Sequence, residues 1–199
     1  MSATFYLVRH GKKEKGTGDV SISSDGLLQA QATARYFRGM PIAAVVSSPL
    51  KRAKETAAII AKEANSAFVE DVRLRERANW GDLPGQAFEE FVEMWDRCTR
   101  DRDYIPPVGD SARGAGERLT ACLKELAEGH RGECVVIVTH GGLITDFLVN
   151  VIPEEELNVF YPDFLKEQSR LIHECSITKV SLHSGKFSLE GFGSIAHLI

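Results

Sequence analysis

The 199-residue sequence has few cysteines and no long apolar run, and both absences restrict what the chain can be. Every hydrophobic segment is shorter than the ~18 residues that a membrane-spanning helix needs, and Arg9 and His10 interrupt the first one where a signal peptide would continue. No Cys-x-x-Cys pair and no histidine at metal-ligand spacing accompanies the four cysteines, Cys98, Cys122, Cys134 and Cys175. We therefore expect a soluble, cytoplasmic protein with reduced thiols, no metal, no other cofactor and no membrane partner.

The sequence also lacks a concentration of basic charge and several well-known catalytic motifs. The net charge is −4, and no basic stripe with interleaved aromatics predicts contact with nucleic acid. There is no G-x-x-x-x-G-K-[ST] loop, no H-E-x-x-H helix and no G-x-S-x-G turn. Nucleoside triphosphate binding, zinc proteolysis and serine hydrolysis therefore have no sequence signal. Oligomeric state is left open.

Apolar strands alternate with amphipathic helices along most of the chain. This order is typical of an α/β domain, and no linker or repeat divides residues 1–199, so we expect one domain. Two insert-like, aromatic-rich regions, 78–108 and 153–171, are candidates to cover a crevice, although such aromatics more often belong to a core. Strands are predicted at 4–8, 42–48, weakly at 67–75, at 134–140, and as a hairpin at 175–183 and 186–192. Helices are predicted at 24–38, 49–64, 87–104, 111–128 and 142–152.

Two buried strands end in the same way. "FYLVRHG" ends in Arg9 and His10, and "VVIVTHGG" ends in His140, each followed by glycine. The carboxyl ends of parallel strands lie along the crevice where α/β proteins bind ligands, so both histidines are expected to face it. Arg52 joins them from the junction "VVSSPLKRAKET", at a helix N-terminus that favours an anion.

Two arginines and two histidines suit a phosphoryl group. Arginine offers a planar fork of donors that matches phosphate oxygens and stays charged at physiological pH. Neutral imidazole is a nucleophile toward phosphorus, and the neighbouring positive charges are expected to depress the pKa of His10 and keep it unprotonated. Such chemistry needs no metal, but it needs an acid.

These motifs resemble those of the histidine phosphatase superfamily, which includes the phosphoglycerate mutases. "RHG" at 9–11, "SSPLKRAKETA" around Arg52, "LRERANWGDLPGQ" around Glu76 and "THGG" around His140 occur in the family's order. The resemblance spans nearly the whole chain and implies a three-layer, phosphoglycerate mutase-like fold with a mostly parallel sheet flanked by helices.

The resemblance also implies a role for each motif residue. His10 would become phosphohistidine, Arg9, Arg52 and His140 would hold the phosphoryl oxygens with Gly11 and Gly141, and Glu76 would be the acid. A carboxyl beside a phosphate dianion can hold a proton for the leaving alcohol and later take one from water. A surface ion pair with Arg75 or Arg77 is the other interpretation of Glu76.

The sequence departs from the family pattern after the first motif. Lys12, Lys13 and "KGTGD" stand where many members place an acidic or polar residue and then an asparagine. The chain is also shorter than typical cofactor-dependent mutases and has no long tail to exclude water, which favours hydrolysis over transfer. We therefore expect a metal-independent phosphomonoesterase acting on a small-molecule phosphate ester or a phosphoprotein. The alternatives are a phosphoglycerate mutase and a non-catalytic module that binds phosphorylated ligands.

Overall fold

Strands and helices alternate through the first two thirds of the chain, because apolar residues repeat there with strand and helix periods. The computed structural model describes residues 2–199. The strands are β1 (Ser2–Arg9), β2 (Ile42–Ser47), β3 (Ala67–Glu70), β4 (Cys134–Thr139), β5 (Ile177–His183) and β6 (Lys186–Ser194). The α-helices are α1 (Ser24–Phe37), α2 (Lys51–Ala64), α3 (Phe88–Arg100), α4 (Ala112–Gly129), α5 (Gly141–Val151), α6 (Glu154–Phe160) and α7 (Phe164–Leu171). No helix within this part of the chain has the length and apolar character needed to cross a membrane.

The strands form one mixed sheet in the order β3-β2-β4-β1-β5-β6. The first four strands in this order are parallel, while β5 lies antiparallel to β1 and to β6. The predicted α/β class and mostly parallel sheet are confirmed. The predicted hairpin is also present, and Ser184 and Gly185 connect its strands with φ values of 50° and 83°, the paired positive angles that a tight two-residue turn requires.

Two apolar layers cover opposite faces of the sheet, which gives the three-layer arrangement. Alternate residues of the central strands point to opposite sides, as a strand's period of two requires. Phe5 and Leu7 of β1 pack toward α4, α5 and α7. Tyr6 and Val8 pack toward α1 and α2. Each central strand is therefore covered on both faces and buried.

Some local predictions differ from the structure. Helical spacing predicts Leu27 on the same buried face of α1 as Ala30, Ala34 and Phe37, but Leu27 is exposed and Gly26 packs inward in its place, against the backbone of Lys12. No helix was predicted over 153–171, where α6 and α7 form. Both are short, and proline at 153 and 162 interrupts the helical pattern. Their buried apolar residues, Leu157, Phe164 and Leu171, belong to the core.

Candidate active site

The sheet brings the two strand-end histidines together. In the parallel pairing of β1 with β4, Arg9 is opposite Thr139, so the next residues, His10 and His140, lie side by side. Their ring centroids are 5.1 Å apart, and both side chains are buried. The crevice predicted at the carboxyl ends of these strands is therefore where the histidines meet.

Hydrogen bonds fix the tautomer of His10. Its Nδ1 lies 2.8 Å from the carbonyl oxygen of Gly11. Because a carbonyl oxygen can only accept, Nδ1 carries the proton and Nε2 keeps its lone pair. Arg52 Nε donates to that Nε2 over 3.2 Å. Nε2, the nitrogen that keeps its lone pair, therefore faces Arg52 at the N-terminal end of α2.

Arg52 presents part of its guanidinium without a partner. It lies in the first turn of α2 and is buried. One terminal nitrogen donates to Asn79 Oδ1 over 3.1 Å, while the other is buried with no hydrogen-bond partner. Buried donors are nearly always satisfied, so this orphan is suited to an acceptor atom of a ligand.

Arg9 is held from the opposite side of the crevice. Its terminal nitrogens donate to the carbonyl oxygen of Ile172 and, over 2.8 Å, to the Glu174 carboxylate. Its Nε is buried and unpartnered. A ligand anion would therefore meet Arg9 through Nε unless the bond to Glu174 is exchanged.

His140 also has one nitrogen left over. Nε2 lies 2.7 Å from Ser48 Oγ, whereas Nδ1 is buried without a partner. Ser48 follows β2, so three neighbouring strand ends contribute to the site. With Arg9 and Arg52, His140 supplies the third buried nitrogen without a hydrogen bond in this crevice.

The two glycines predicted to bind phosphate have different environments. The N–H of Gly11 donates to Thr56 Oγ1 over 3.0 Å, and an added Cβ would lie 2.7 Å from the carbonyl oxygen of Gly26. Glycine at position 11 is therefore explained by close backbone packing. Gly141 begins α5 and lines the cavity, where the first N–H groups of a helix favour an anion.

Glu76 lies at the same cavity and does not form the surface ion pair considered from the sequence. Its two carboxylate oxygens accept the N–H groups of Arg77 and Gly142, each over 3.0 Å. Arg75 pairs instead with Asp82 over 2.6 Å, and Arg77 with Asp146 over 2.9 Å. The carboxyl group is thus held against the first turn of α5, with both oxygens anchored.

Burial and charge lower the pKa values of both histidines. The pKa of His10 is well below the ordinary 6.5, chiefly because the ring is buried and then because Arg52 and Arg9 are near. Burial likewise lowers the pKa of His140 well below 6.5, with His10, Arg52 and Arg9 contributing. Both imidazoles are therefore neutral at physiological pH.

Several residues at the site were not predicted from the sequence. Asn79, Ser48 and Thr56 each bond one of the predicted residues, and only the folded arrangement reveals the pairing. The position of Ser48 just after β2 was the available signal. Within residues 2–199, no group of three His, Cys, Asp or Glu side chains is arranged to hold a metal ion.

The cavity has a volume of about 560 Å³, which is within the range of small-molecule sites. The predicted residues other than Gly11 line its inner end, and α3 from the 78–108 region lines another wall. From 153–171 only Gln168 and Ser169 reach it. Lys12 and Lys13 also line it, but Lys12 pairs with Asp25 over 2.6 Å.

Comparison with known proteins agrees with this fold. The sequence model of the histidine phosphatase superfamily (branch 1) matches residues 5–194. The chain is 32% identical to phosphoglycerate mutase-like protein 4 of Arabidopsis thaliana, over 98% of this chain and 87% of that protein. It is 28% identical to a metal-independent phosphoserine phosphatase of the same plant, over 96% and 82%.

A solved structure shows the same fold. Phosphoserine phosphatase from Entamoeba histolytica, crystallised with 3-phosphoglyceric acid, superposes with a TM-score of 0.76 at 24% identity, covering 99% of this chain and all of that one. The chain belongs to the histidine phosphatase superfamily, branch 1, as its motifs predicted. Its assignment as an enzyme of the phosphatase class follows from this membership.

Proposed function

We propose that the chain is a metal-independent phosphomonoesterase that hydrolyses phosphate esters through a phosphohistidine on His10. The observation that carries the proposal is the tautomer of His10, whose Nδ1 donates to Gly11 and leaves the Nε2 lone pair beside Arg52. His10 lines the cavity in which the ester would bind. Neutral imidazole there is available to attack phosphorus.

Three unsatisfied nitrogens near His10 support binding of the phosphoryl oxygens. They belong to Arg9, Arg52 and His140, and all are buried. The arginine nitrogens carry positive charge, and charge-assisted bonds to phosphate are the strongest of this type. The N-terminal end of α5 at Gly141 adds a favourable dipole. Gly11 shapes the loop and gives its N–H to Thr56, so we leave it out of the phosphate-binding set.

The reaction proceeds in two displacements. His10 Nε2 attacks phosphorus, the bond from phosphorus to the ester oxygen breaks, and Glu76 gives its proton to the leaving alcohol. A water molecule then attacks the phosphohistidine, Glu76 accepts the proton of that water, and the phosphorus–nitrogen bond breaks to release inorganic phosphate. Glu76 ends the cycle protonated, as it began, and neither step uses a metal.

The substrate in this proposal is a small phosphate ester, since the cavity of about 560 Å³ accommodates one. The phosphoserine phosphatase among the relatives supports hydrolysis of such esters. A cytoplasmic location is part of the proposal, and the four cysteines, all unpaired in the described chain, support it.

The experiment that tests the proposal is hydrolysis of 4-nitrophenyl phosphate in excess chelator. The parent protein is expected to remain fully active, and His10→Ala is expected to lose turnover. His130→Ala is the matched control and should behave like the parent, because His130 lies at the C-terminal end of α4 and does not line the cavity. Loss of parent activity on chelation, or full activity of His10→Ala, would contradict the mechanism.

A phosphoglycerate mutase remains the second candidate function. It is favoured by "ERANWGDLPG" and by the relative named for its likeness to such mutases. Incubation with 3-phosphoglycerate separates the two functions, because a mutase yields the isomer with little free phosphate. A non-catalytic module would bind phosphate or vanadate tightly and hydrolyse none of a broad panel of esters.

A further inference from the structure

One wall of the cavity is aromatic and faces away from the core. Four apolar residues of α3 line it, namely Phe88, Phe91, Val92 and Trp95, and Trp80 precedes them. Phe88 is 51% exposed and Val92 is 39% exposed. Cys98 is the one buried residue of α3. The apolar face of this helix is therefore directed largely at the cavity, whereas an ordinary amphipathic helix directs it at the core.

The aromatic rings of the wall meet in two pairs. Trp80 and Phe88 meet edge to face with centroids 5.0 Å apart, and Phe91 and Trp95 are 6.0 Å apart. The guanidinium of Arg77 stacks over the Trp95 ring, 3.8 Å from its centre, and holds the ring in place. A fixed apolar wall opposite a polar end is the usual composition of a site that binds a small organic molecule.

Two of the basic side chains near this wall are already paired with carboxylates. Arg77 is buried and bonds Asp146 and Thr99, and Lys12 pairs with Asp25. Lys13 is the remaining cation outside the phosphoryl end, and its Nζ contacts the carbonyl oxygen of Gly16 at 3.4 Å. None of the wall's own residues carries a positive charge, so the wall itself cannot pair a second anionic group such as a substrate carboxylate.

The carboxylates that line the cavity strengthen this discrimination. Glu76 and Glu174 both reach the cavity, and Glu174 lies 2.8 Å from a terminal nitrogen of Arg9. A substrate with a carboxylate beside its phosphate would meet the Glu174 carboxylate, whereas Glu76 is protonated when the ester binds. Repulsion between like charges disfavours such a ligand.

We infer that the α3 wall is the subsite for the leaving alcohol and that it selects phosphomonoesters of flat, apolar alcohols over those of small charged alcohols. The inference rests on the proposed function, since it names the substrate class of the same site. Burying one aromatic ring of the substrate against Phe88 and Phe91 should raise kcat/KM roughly 10- to 100-fold over an ester that cannot reach them.

The test compares esters whose leaving alcohols are alike in reactivity. 3-Phenylpropyl phosphate, glycerol 3-phosphate, phosphoserine and 3-phosphoglycerate all offer the phosphate on an aliphatic carbon. For the parent protein, we expect kcat/KM for 3-phenylpropyl phosphate to exceed each of the others at least tenfold. Equal or higher kcat/KM for phosphoserine or 3-phosphoglycerate would overturn the inference.

Variants locate the effect at the wall. Phe88→Ala should lower the ratio of kcat/KM for 3-phenylpropyl phosphate over that for phosphoserine about tenfold, because the lost ring no longer shields the apolar substrate. Val92→Lys should shift the same ratio in the same direction by supplying a cation for the carboxylate. Phe160→Ala is the matched control, since Phe160 is 40% exposed on α6 and lies outside the cavity.

The outcomes separate the inference from the function on which it rests. If all four esters are hydrolysed at similar kcat/KM, or if Phe88→Ala leaves the ratio unchanged, the subsite is wrong and the phosphatase stands. If the parent hydrolyses none of the esters and His10 never carries phosphate, both are wrong. Thermal unfolding of each variant shows whether a lost ratio reflects the subsite or a damaged fold.

Discussion

At the scale of single residues, the site depends on keeping His10 neutral in a positively charged crevice. The ring is buried, its Nδ1 proton is committed to Gly11, and Arg52 and Arg9 disfavour a second proton. Burial and charge thus act in the same direction on the pKa, and the nucleophile is available without a base to activate it.

This electrostatic account predicts the titration of two imidazoles. Because their pKa values are well below 6.5, His10 and His140 should become protonated only at a pH well below the one at which an ordinary histidine titrates. Heteronuclear NMR of the ring nitrogens from pH 8 downward measures this directly, with the spectrum of His10→Ala assigning the missing resonance. Ring shifts with midpoints near pH 6.5 would show that the crevice does not depress either pKa.

Glu76 and His10 have separate roles in the proposed mechanism. Glu76 transfers protons, and His10 carries the phosphoryl group. Glu76→Gln should slow hydrolysis of alkyl phosphates by roughly 10²–10⁴-fold, because the alkoxide then leaves without a proton. Aryl phosphates need little protonation and should lose less in the first step. Steady-state kinetics on 3-phenylpropyl and 4-nitrophenyl phosphate measures the difference. Parent-like rates on both esters would mean that Glu76 is not the acid, and Asp82 or Glu89 would be examined next.

At the scale of secondary-structure elements, Arg77 joins α5 and α3, through a buried ion pair with the first and hydrogen bonds to the second. Arg77 bonds Asp146 of α5 over 2.9 Å, and it also donates to Thr99 and to the carbonyl oxygen of Trp95 in α3. Arg77 and Asp146 are almost completely buried. Arg77, the residue after Glu76, thus connects α5, which anchors the carboxyl group of Glu76, with α3, which forms the aromatic wall.

Removing one member of this pair should be costly. Asp146→Ala leaves the guanidinium of Arg77 buried and uncompensated, and we expect the free energy of unfolding to fall by about 3–5 kcal/mol. Urea unfolding measures it. Asp103→Ala is the matched control, because Asp103 pairs with Arg113 in solvent and should cost far less. If both variants are equally stable, the buried pair does not hold the two helices.

The same elements show which features of the fold and the site the sequence could predict, and why it could not predict the long-range hydrogen bonds. The alternation of β1, α1, β2 and α2 follows from residue periods, and the strand-end positions of His10 and His140 follow from parallel pairing. The hydrogen bonds between Arg52 and Asn79 and between His140 and Ser48 join residues far apart in the chain. No local pattern specifies such pairs, so they became visible only in the fold.

The aromatic residues of 78–108 illustrate the same limit. Their helical spacing was typical of core packing, and periodicity cannot distinguish a face that meets the core from one that lines a cavity. The structure directs Phe88 and Val92 at the cavity. In 153–171, by contrast, Leu157 and Phe164 do join the core. Both regions are rich in aromatic residues, but α3 of 78–108 lines the cavity whereas the buried apolar residues of 153–171 pack into the core.

At the scale of the whole molecule, the order of strands in the sheet places the site. β2, β4 and β1 are parallel neighbours, so Ser48, His140 and His10 follow three adjacent strand ends. α2 and α5 then begin at that edge and direct their N-termini at the same point. The antiparallel pair β5 and β6 extends the sheet beyond β1, and the chain just before β5 supplies the Ile172 and Glu174 contacts to Arg9.

The central claim is that turnover passes through a phosphoryl group on His10. The most direct measurement is a rapid acid-free quench of Glu76→Gln with an aryl phosphate, followed by mass spectrometry under alkaline conditions that preserve phosphohistidine. The account predicts a burst of about one phenol per chain, as expected for a covalent intermediate that forms faster than it decays, and an acid-labile phosphate on His10. Hydrolysis without any burst or label, or a label on another residue, would contradict it.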